Sequence, residues 1–160
     1  MMKRIGLGLG LLVLVAGGAF ALTIGDLNQV VDLSASLETL SSAASGNQHL
    51  PADGRFVLLS GAVASIQIVN RDRDTFSAEF NLVDGHWQGL DSVALYQCIV
   101  QVSGPEFFAR LPARPPAGAA DPSIILPNTE VLVIGVVQGT RALPDGTTLP
   151  VVQGVYVRPL

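Results

Sequence analysis

The side chains that could carry nucleophilic or acid–base chemistry are few and stand apart in this chain of 160 residues. Cys98 is the only cysteine, and the only histidines are His49 and His86. A cysteine nucleophile needs an exposed thiolate with a base within reach, whereas Cys98 lies inside an apolar segment where a buried, inert thiol is expected. No nucleophile elbow, phosphate-binding loop or H-E-x-x-H pattern is present. The sequence therefore predicts that the protein is not an enzyme.

Metal and cofactor chemistry is equally poorly supported. Asp72 and Asp74 alternate with Arg71 and Arg73 in one polar segment. Calcium needs six or more oxygen ligands in a tight loop, and two interleaved guanidinium groups would repel a cation. A single cysteine cannot build a multi-cysteine zinc or iron–sulfur site, and the lack of C-x-x-C-H excludes covalently attached haem. We expect a solvated hairpin loop here, and no metal or cofactor.

Two aromatic pairs are the best candidates for a contact surface. His86 and Trp87 follow a turn signal, and Phe107 and Phe108 open a proline-rich segment. Aromatic residues in loops are not required for strand packing and commonly anchor interfaces, although the phenylalanine pair would equally serve to plug one end of a barrel. The predicted contact surface has six residues: His86, Trp87, Phe107, Phe108, Arg71 and Arg73.

The charge balance bears on the kind of partner. The chain has 9 Lys+Arg against 13 Asp+Glu, a net charge of −4. Removing Lys3 and Arg4 with the first 21 residues leaves seven arginines, no lysine and all 13 acidic residues, so the net charge becomes −6. Such a surface releases few counterions from nucleic acid. We expect a protein partner in the envelope or membrane, or a small ligand, rather than nucleic acid; the oligomeric state stays open.

The N-terminus carries an export signal. A short basic head precedes a long uncharged run, and Ala19 and Ala21 form the small-x-small pattern that signal peptidase cleaves. Alternatively, residues 5–25 form a single transmembrane anchor, with Gly6 and Gly10 spaced as on helices that pack closely. Both interpretations place the rest of the chain on the periplasmic or extracytoplasmic side of the membrane, with a cytoplasmic N-terminus if the leader is retained.

After a short helix over residues 26–44 and a linker to residue 54, the pattern changes to strands. Gly61 inside the first strand marks a bend, and the turn Asp84-Gly85 ends the second. A proline-rich insertion, 103–127, connects the third strand to the fourth. The predicted strands are 56–69, 75–83, 93–102, 130–137 and 149–158.

A bent first strand that pairs with two neighbours predicts a small five-stranded barrel. Several runs resemble an OB-fold: 57–66 (VLLSGAVASI), 93–100 (VALYQCIV), 126–137 (LPNTEVLVIGVV) and 145–157 (DGTTLPVVQGVYV). The chain is similar to the exported OB-fold proteins grouped as tRNA anticodon-binding-like, a name that does not imply tRNA binding. It departs from their pattern at Pro127-Asn128, in lacking a lipobox cysteine, and in its proline-rich insertion.

The predicted fold class is therefore mainly β, an OB-like barrel preceded by an apolar leader or transmembrane helix and a short helix. The expected function is that of a non-catalytic exported interaction module, which would be a single-pass accessory subunit of a membrane complex if the leader is an anchor. The alternative is a soluble periplasmic binding protein for a small ligand, glycan or peptide.

Overall fold

The computed structural model describes residues 24–46, 50, 53–89, 91–114 and 121–160. The described chain is mainly β, as expected, and each of its five long strands contains most or all of one predicted strand. The elements are α1 (Ile24–Val30), β1 (Val31–Asp32), α2 (Leu37–Ser45), β2 (Phe56–Asn70), β3 (Ser77–Gln88), β4 (Ser92–Ser103), α3 (Pro105–Phe108), β5 (Glu130–Ala142) and β6 (Thr148–Pro159).

The five long strands pair in a closed circuit, which we call the ring. β2 pairs with β5 over residues 56–62 and with β3 over residues 62–70, so one strand serves two neighbours. The circuit continues from β3 to β4, from β4 to β6 and from β6 back to β5. The β4–β6 pairing is parallel and the others are antiparallel. This order, with the third and fifth ring strands side by side, makes the fold OB-like.

Gly61 allows β2 to change partners. A Cβ atom at this position would lie 2.6 Å from the carbonyl oxygen of Val83, so the backbones of β2 and β3 approach too closely for any side chain. One residue further on, Ala62 pairs with both β3 and β5, and a register shift follows between Val63 and Ser65. The bulge or bend predicted at Gly61 corresponds to the change of partner at Ala62 and to the register shift between Val63 and Ser65, since close approach and a bulge let a long strand curve.

Strand alternation separates an apolar interior from a polar outer face. On β3, Ala78, Phe80 and Leu82 are almost fully buried, whereas Glu79 and Asn81 point outwards and are partly exposed. β5 shows the same period of two, as expected for strands that cover one core. All five ring strands therefore contribute side chains to the interior, and the outer face of β3 is free to carry polar groups.

The N-terminal segment differs from the single helix predicted over 26–44. It forms two short helices separated by β1, which pairs in parallel with the start of β2. Asp32 at the end of β1 accepts hydrogen bonds from the Ser34 backbone and hydroxyl, which stops the chain from continuing as a helix. The second helix restarts at a capping box between Ser36 and Thr39 and buries Leu40 against the ring.

The turn predicted at Asp84-Gly85 is wrong. β3 continues without interruption, pairing Asp84 with Tyr96 and Gly85 with Leu95, and the hairpin ends only at Gly89, whose φ is +73°. An Asp-Gly pair tolerates a turn but does not require one, and the unbroken ladder between β3 and β4 satisfies the backbone groups that a turn would leave unpaired.

The proline-rich segment begins with α3, and its later part folds back on its beginning through a 2.8 Å backbone hydrogen bond from the Ile125 N–H to the Arg110 carbonyl oxygen. It then joins the ring through a 2.7 Å hydrogen bond from the Asn128 N–H to the Val63 carbonyl oxygen on β2. It is therefore an ordered insertion where it is described; residues 115–120 lie outside the described part. The leader, with Gly6, Gly10, Ala19 and Ala21, also lies outside it. None of the helices in the described residues is long and apolar enough to cross a membrane.

Candidate interaction surfaces

The β3–β4 hairpin extends past the point where β2 leaves it. β2 pairs with β3 only as far as Val83, whereas β3 and β4 stay paired up to Gln88 and Ser92. In a two-stranded ribbon, successive side chains point to opposite faces and directly paired residues share a face. The few residues in this extension of the hairpin therefore form two opposite faces, which differ in composition.

One face of the hairpin is apolar and exposed. Trp87 pairs with Val93, and Leu95 pairs with Gly85. The exposed fractions are 74% for Trp87, 55% for Leu95 and 49% for Val93. Because Gly85 has no side chain, it leaves Leu95 uncovered. We call these four residues the hairpin apolar face.

The opposite face is polar and connects to α2. The His86 ring nitrogen Nε2 lies 2.8 Å from Asp84 Oδ2, and its ring meets that of Tyr96 edge to face at 5.8 Å. The Tyr96 hydroxyl donates a 3.0 Å hydrogen bond to Glu38 Oε1 on α2, and this carboxylate raises the pKa of Tyr96. The predicted pair of His86 and Trp87 is thus divided, with each residue on a different surface and on a strand rather than in a loop.

The phenylalanine pair is divided as well. Phe107 is 2% exposed and belongs to the core, so it plugs the ring, whereas Phe108 is 40% exposed. Phe108 contacts Phe76 edge to face at a centroid distance of 5.8 Å. Together with Arg71, Phe108 lines a hollow of about 370 Å³, and Arg73 is not among its lining residues. Of the two predicted arginines, only Arg71 shares a surface with a predicted aromatic residue.

A polar cluster on the outer face of β3 was not expected. Arg141 on β5 donates to both carboxylate oxygens of Glu79, with distances of 2.6 Å and 2.9 Å, and Gln101 donates to the same carboxylate at 2.7 Å. These hydrogen bonds, chiefly the one from Arg141, lower the pKa of Glu79. The sequence offered one signal, an acidic residue on the outward side of a strand, and this signal does not identify a partner 62 residues away.

The Glu79–Arg141 pair leads to a prediction about pH. Because the pKa of Glu79 is lowered in the folded state, its contribution to stability is present above its unfolded pKa and is lost as the pH falls through the folded value. Arg141→Met should lower the free energy of unfolding by about 1 kcal/mol or less at pH 7, since both side chains are partly exposed. The difference from the wild type should shrink between about pH 5 and pH 3.

Urea unfolding of wild type and variant at several pH values measures this difference. Arg73→Met is the matched control, because it removes an exposed arginine whose side chain has no ion-pair partner in the described residues. If the difference in the free energy of unfolding between the wild type and Arg141→Met stays constant from pH 7 to pH 3, the ion pair contributes nothing to stability.

The burial predicted for Cys98 is confirmed. Cys98 is fully buried, and burial raises the pKa of its thiol to about 12, so no thiolate forms near neutral pH. Asp72 accepts hydrogen bonds from the backbone of Asp74 and Thr75 and so shapes its own loop. No group of three metal-ligating side chains occurs in the described ranges, and His49 lies outside them.

Comparison with known proteins yields fold neighbours but no family. No family model and no curated protein matches the chain. A small single-stranded DNA-binding protein from Streptomyces coelicolor is similar with a TM-score of 0.41 and 12% identity, covering 68% of this chain and 94% of its own. The second single-stranded DNA-binding protein of Mycobacterium smegmatis is similar with a TM-score of 0.41 and 11% identity, and the match covers 66% of this chain and 88% of that protein. The protein PriB from Ralstonia solanacearum is similar with a TM-score of 0.39 and 9% identity, and the match covers 65% of this chain and 95% of that protein.

These similarities concern the fold, and they also correct one expectation. The expectation that nucleic acid is not a partner is contradicted by the comparisons, since two of the similar solved structures are of proteins named for binding single-stranded DNA. Nucleic acid is therefore one of the ligands that a binding experiment on this chain has to distinguish.

Proposed function

We propose that this chain is a non-catalytic interaction module with an OB-fold barrel, which binds a partner protein through the hairpin apolar face. The observation that carries the proposal is the 74% exposure of Trp87, the only tryptophan of the chain, on a hairpin that extends past its neighbouring strand. Tryptophan is enriched among the few residues that dominate binding energy, because it combines a large apolar area with one hydrogen-bond donor.

The neighbours of Trp87 support a contact of definite chemistry. Val93 and Leu95 extend the apolar area on the same face, and Asp91 next to the hairpin tip is acidic. The matching partner surface is an apolar pocket with an acceptor for the indole N–H and basic residues at its rim. Three exposed side chains are too few for the roughly 800 Å² per partner of a stable dimer. The hairpin therefore acts as the anchor of a larger contact.

The location of the module is part of the proposal and rests on the leader. With Ala21 as the last residue removed, the module would be free outside the cytoplasm; with the leader retained as an anchor, it would be an accessory subunit of a membrane complex. The resemblance to exported OB-fold proteins of the tRNA anticodon-binding-like group agrees with either form. The N-terminal residue of the native protein, determined by intact mass, separates the two.

Substitution of Trp87 tests the contact. Trp87→Ser in the full chain should reduce recovery of the co-purifying partner from producing cells at least tenfold, because the loss of one aromatic anchor costs about 2 kcal/mol or more. His86→Ala is the matched control, since it changes the adjacent residue on the opposite face. Val155→Ser is a second control, because Val155 is 51% exposed on another strand.

Quantitative mass spectrometry of the purified material measures recovery, and thermal unfolding verifies that each variant folds. The proposal fails if Trp87→Ser and the two controls recover the partner equally. It also fails if nuclease treatment releases the bound material and Arg141→Met, rather than Trp87→Ser, reduces its recovery, since the ligand would then be nucleic acid held by the guanidinium group at the outer face of β3.

A further inference from the structure

A second surface, distinct from the hairpin, lies between the β2–β3 loop and the segment that follows α3. The 370 Å³ hollow beside Phe108 adjoins a second one of about 290 Å³, and the two share Ile68, Arg71, Pro112 and Ala113 as lining residues. Because they adjoin through these shared residues, we name the two hollows together the Arg71 groove. Its first hollow alone is within the size range of small-molecule sites.

The side chains that line the Arg71 groove are mostly apolar. Apart from Arg71, every residue that lines either hollow has a hydrocarbon side chain, including Ile68, Phe76, Phe108 and Leu111. Phe76 and Leu111 are fully buried members of the core, so this part of the wall is supported from behind. Among the described residues that line the groove, the Arg71 guanidinium group is the one side-chain donor or acceptor that a ligand would meet. A peptide would leave its amide groups without side-chain partners, which is unfavourable.

Arg71 is available to a ligand. In the described part of the chain, its side chain has no hydrogen-bond or ion-pair partner. The nearest acidic residue along the chain, Asp72, accepts hydrogen bonds from the backbone of Asp74 and Thr75, and Asn70 fixes the same loop by accepting from the Asp72 backbone. The loop is therefore held by its own hydrogen bonds and does not use Arg71. A guanidinium group on apolar walls favours a carboxylate that carries a hydrocarbon body.

We propose that the Arg71 groove binds a fatty acid, with the alkyl chain along the apolar walls and the carboxylate on the Arg71 guanidinium. The charge of the site complements the ligand, although the chain as a whole has a net charge of −4. Attraction of an anion must therefore come from this arginine locally. The proposal does not depend on the hairpin apolar face, because the two surfaces share no residue.

Calorimetric titration of the purified protein with decanoate, below the concentration at which it forms micelles, tests the site. Wild type and Arg73→Gln should bind one decanoate saturably, and Arg71→Gln should bind at least tenfold more weakly, since the neutral amide cannot replace the charge-assisted hydrogen bonds from guanidinium to carboxylate. Arg73→Gln is a close control, because it makes the same change two residues away and outside the groove. Decyltrimethylammonium, with the same chain and the opposite charge, should not bind.

Phe108→Ala supplies a second variant, which removes one wall without altering the charge and should also weaken decanoate binding. Trp87→Ser should leave it unchanged, so failure of the hairpin proposal and failure of this one can be told apart. Equal affinity in Arg71→Gln and Arg73→Gln, or equal binding of decanoate and decyltrimethylammonium, would overturn the proposal. So would saturable binding of an apolar peptide with a free C-terminus in the absence of any decanoate binding.

Discussion

Phe107→Ala is expected to lower the free energy of unfolding by about 3–5 kcal/mol, whereas Phe108→Ala should lower it by about 1 kcal/mol or less. Phe107 is 2% exposed and packs in the main core, so its removal leaves a cavity that the surrounding strands cannot fill. Phe108 is 40% exposed and loses mainly its edge-to-face contact with Phe76.

The local geometry explains why Phe107 cannot move to fill a different space. Gly104 at the start of α3 has a φ of +120°, and its N–H donates a 2.9 Å hydrogen bond to the Phe76 carbonyl oxygen. Pro105 then begins the helix, where its missing N–H costs nothing. Urea unfolding at pH 7 compares the two variants. The slope of the free energy of unfolding against urea concentration should be the same for both, which shows that both expose a comparable surface area on unfolding. Equal destabilisation by both substitutions would mean that Phe107 does not plug the ring.

Gly61→Ala should lower the free energy of unfolding by about 2–3 kcal/mol, at the upper end of the usual cost of overpacking. The added Cβ would lie 2.6 Å from the Val83 carbonyl oxygen, which is backbone and cannot rotate away. Relief requires β2 and β3 to separate next to Ala62, the residue at which β2 pairs with both β3 and β5. The substitution therefore acts on the closure of the ring rather than on one contact.

Gly85→Ala is the matched control for this substitution. Gly85 is also inside a long strand, but an added Cβ would lie 3.4 Å from the nearest atom, a Val93 methyl carbon, which is close to ordinary contact. Its effect should be near zero, because Gly→Ala also reduces the conformational entropy of the unfolded chain. Thermal and urea unfolding of both variants provide the comparison. If Gly61→Ala is as stable as Gly85→Ala, the close approach of β2 and β3 is not needed for the fold.

The strands could be predicted from the sequence because each is specified locally. The alternation of Phe76, Ala78, Phe80 and Leu82 with polar residues is visible in a few neighbouring residues, and burial on one face of a sheet requires that period. The same reasoning failed at Asp84-Gly85. Turn propensity is also local, but the choice between turn and strand at this dipeptide depended on whether residues further along the chain could pair with it. Tyr96 and Leu95 do pair with it, so the strand continues.

The candidate sites were predicted less well than the strands, for a related reason. Residue type identified Trp87, Phe108 and Arg71 as candidates, and the structure places Phe108 and Arg71 on one groove. Sequence proximity wrongly suggested that His86 would act with Trp87, although neighbours in a strand point to opposite faces. The ion pair between Glu79 and Arg141 could not be predicted from the sequence, because the residues around either one do not indicate that the other lies close to it in the fold.

The sequence by itself determined the composition, the acidic charge balance, the strand segments and the glycine at which β2 bends, since all of these depend on residue identity or on a period of two. Only the tertiary structure decided which phenylalanine is buried, which face of the hairpin is exposed and which arginine lines a groove. Those outcomes depend on contacts between segments far apart in the chain, such as the parallel pairing of β4 with β6. Such contacts follow from packing one core as a whole and not from any local pattern.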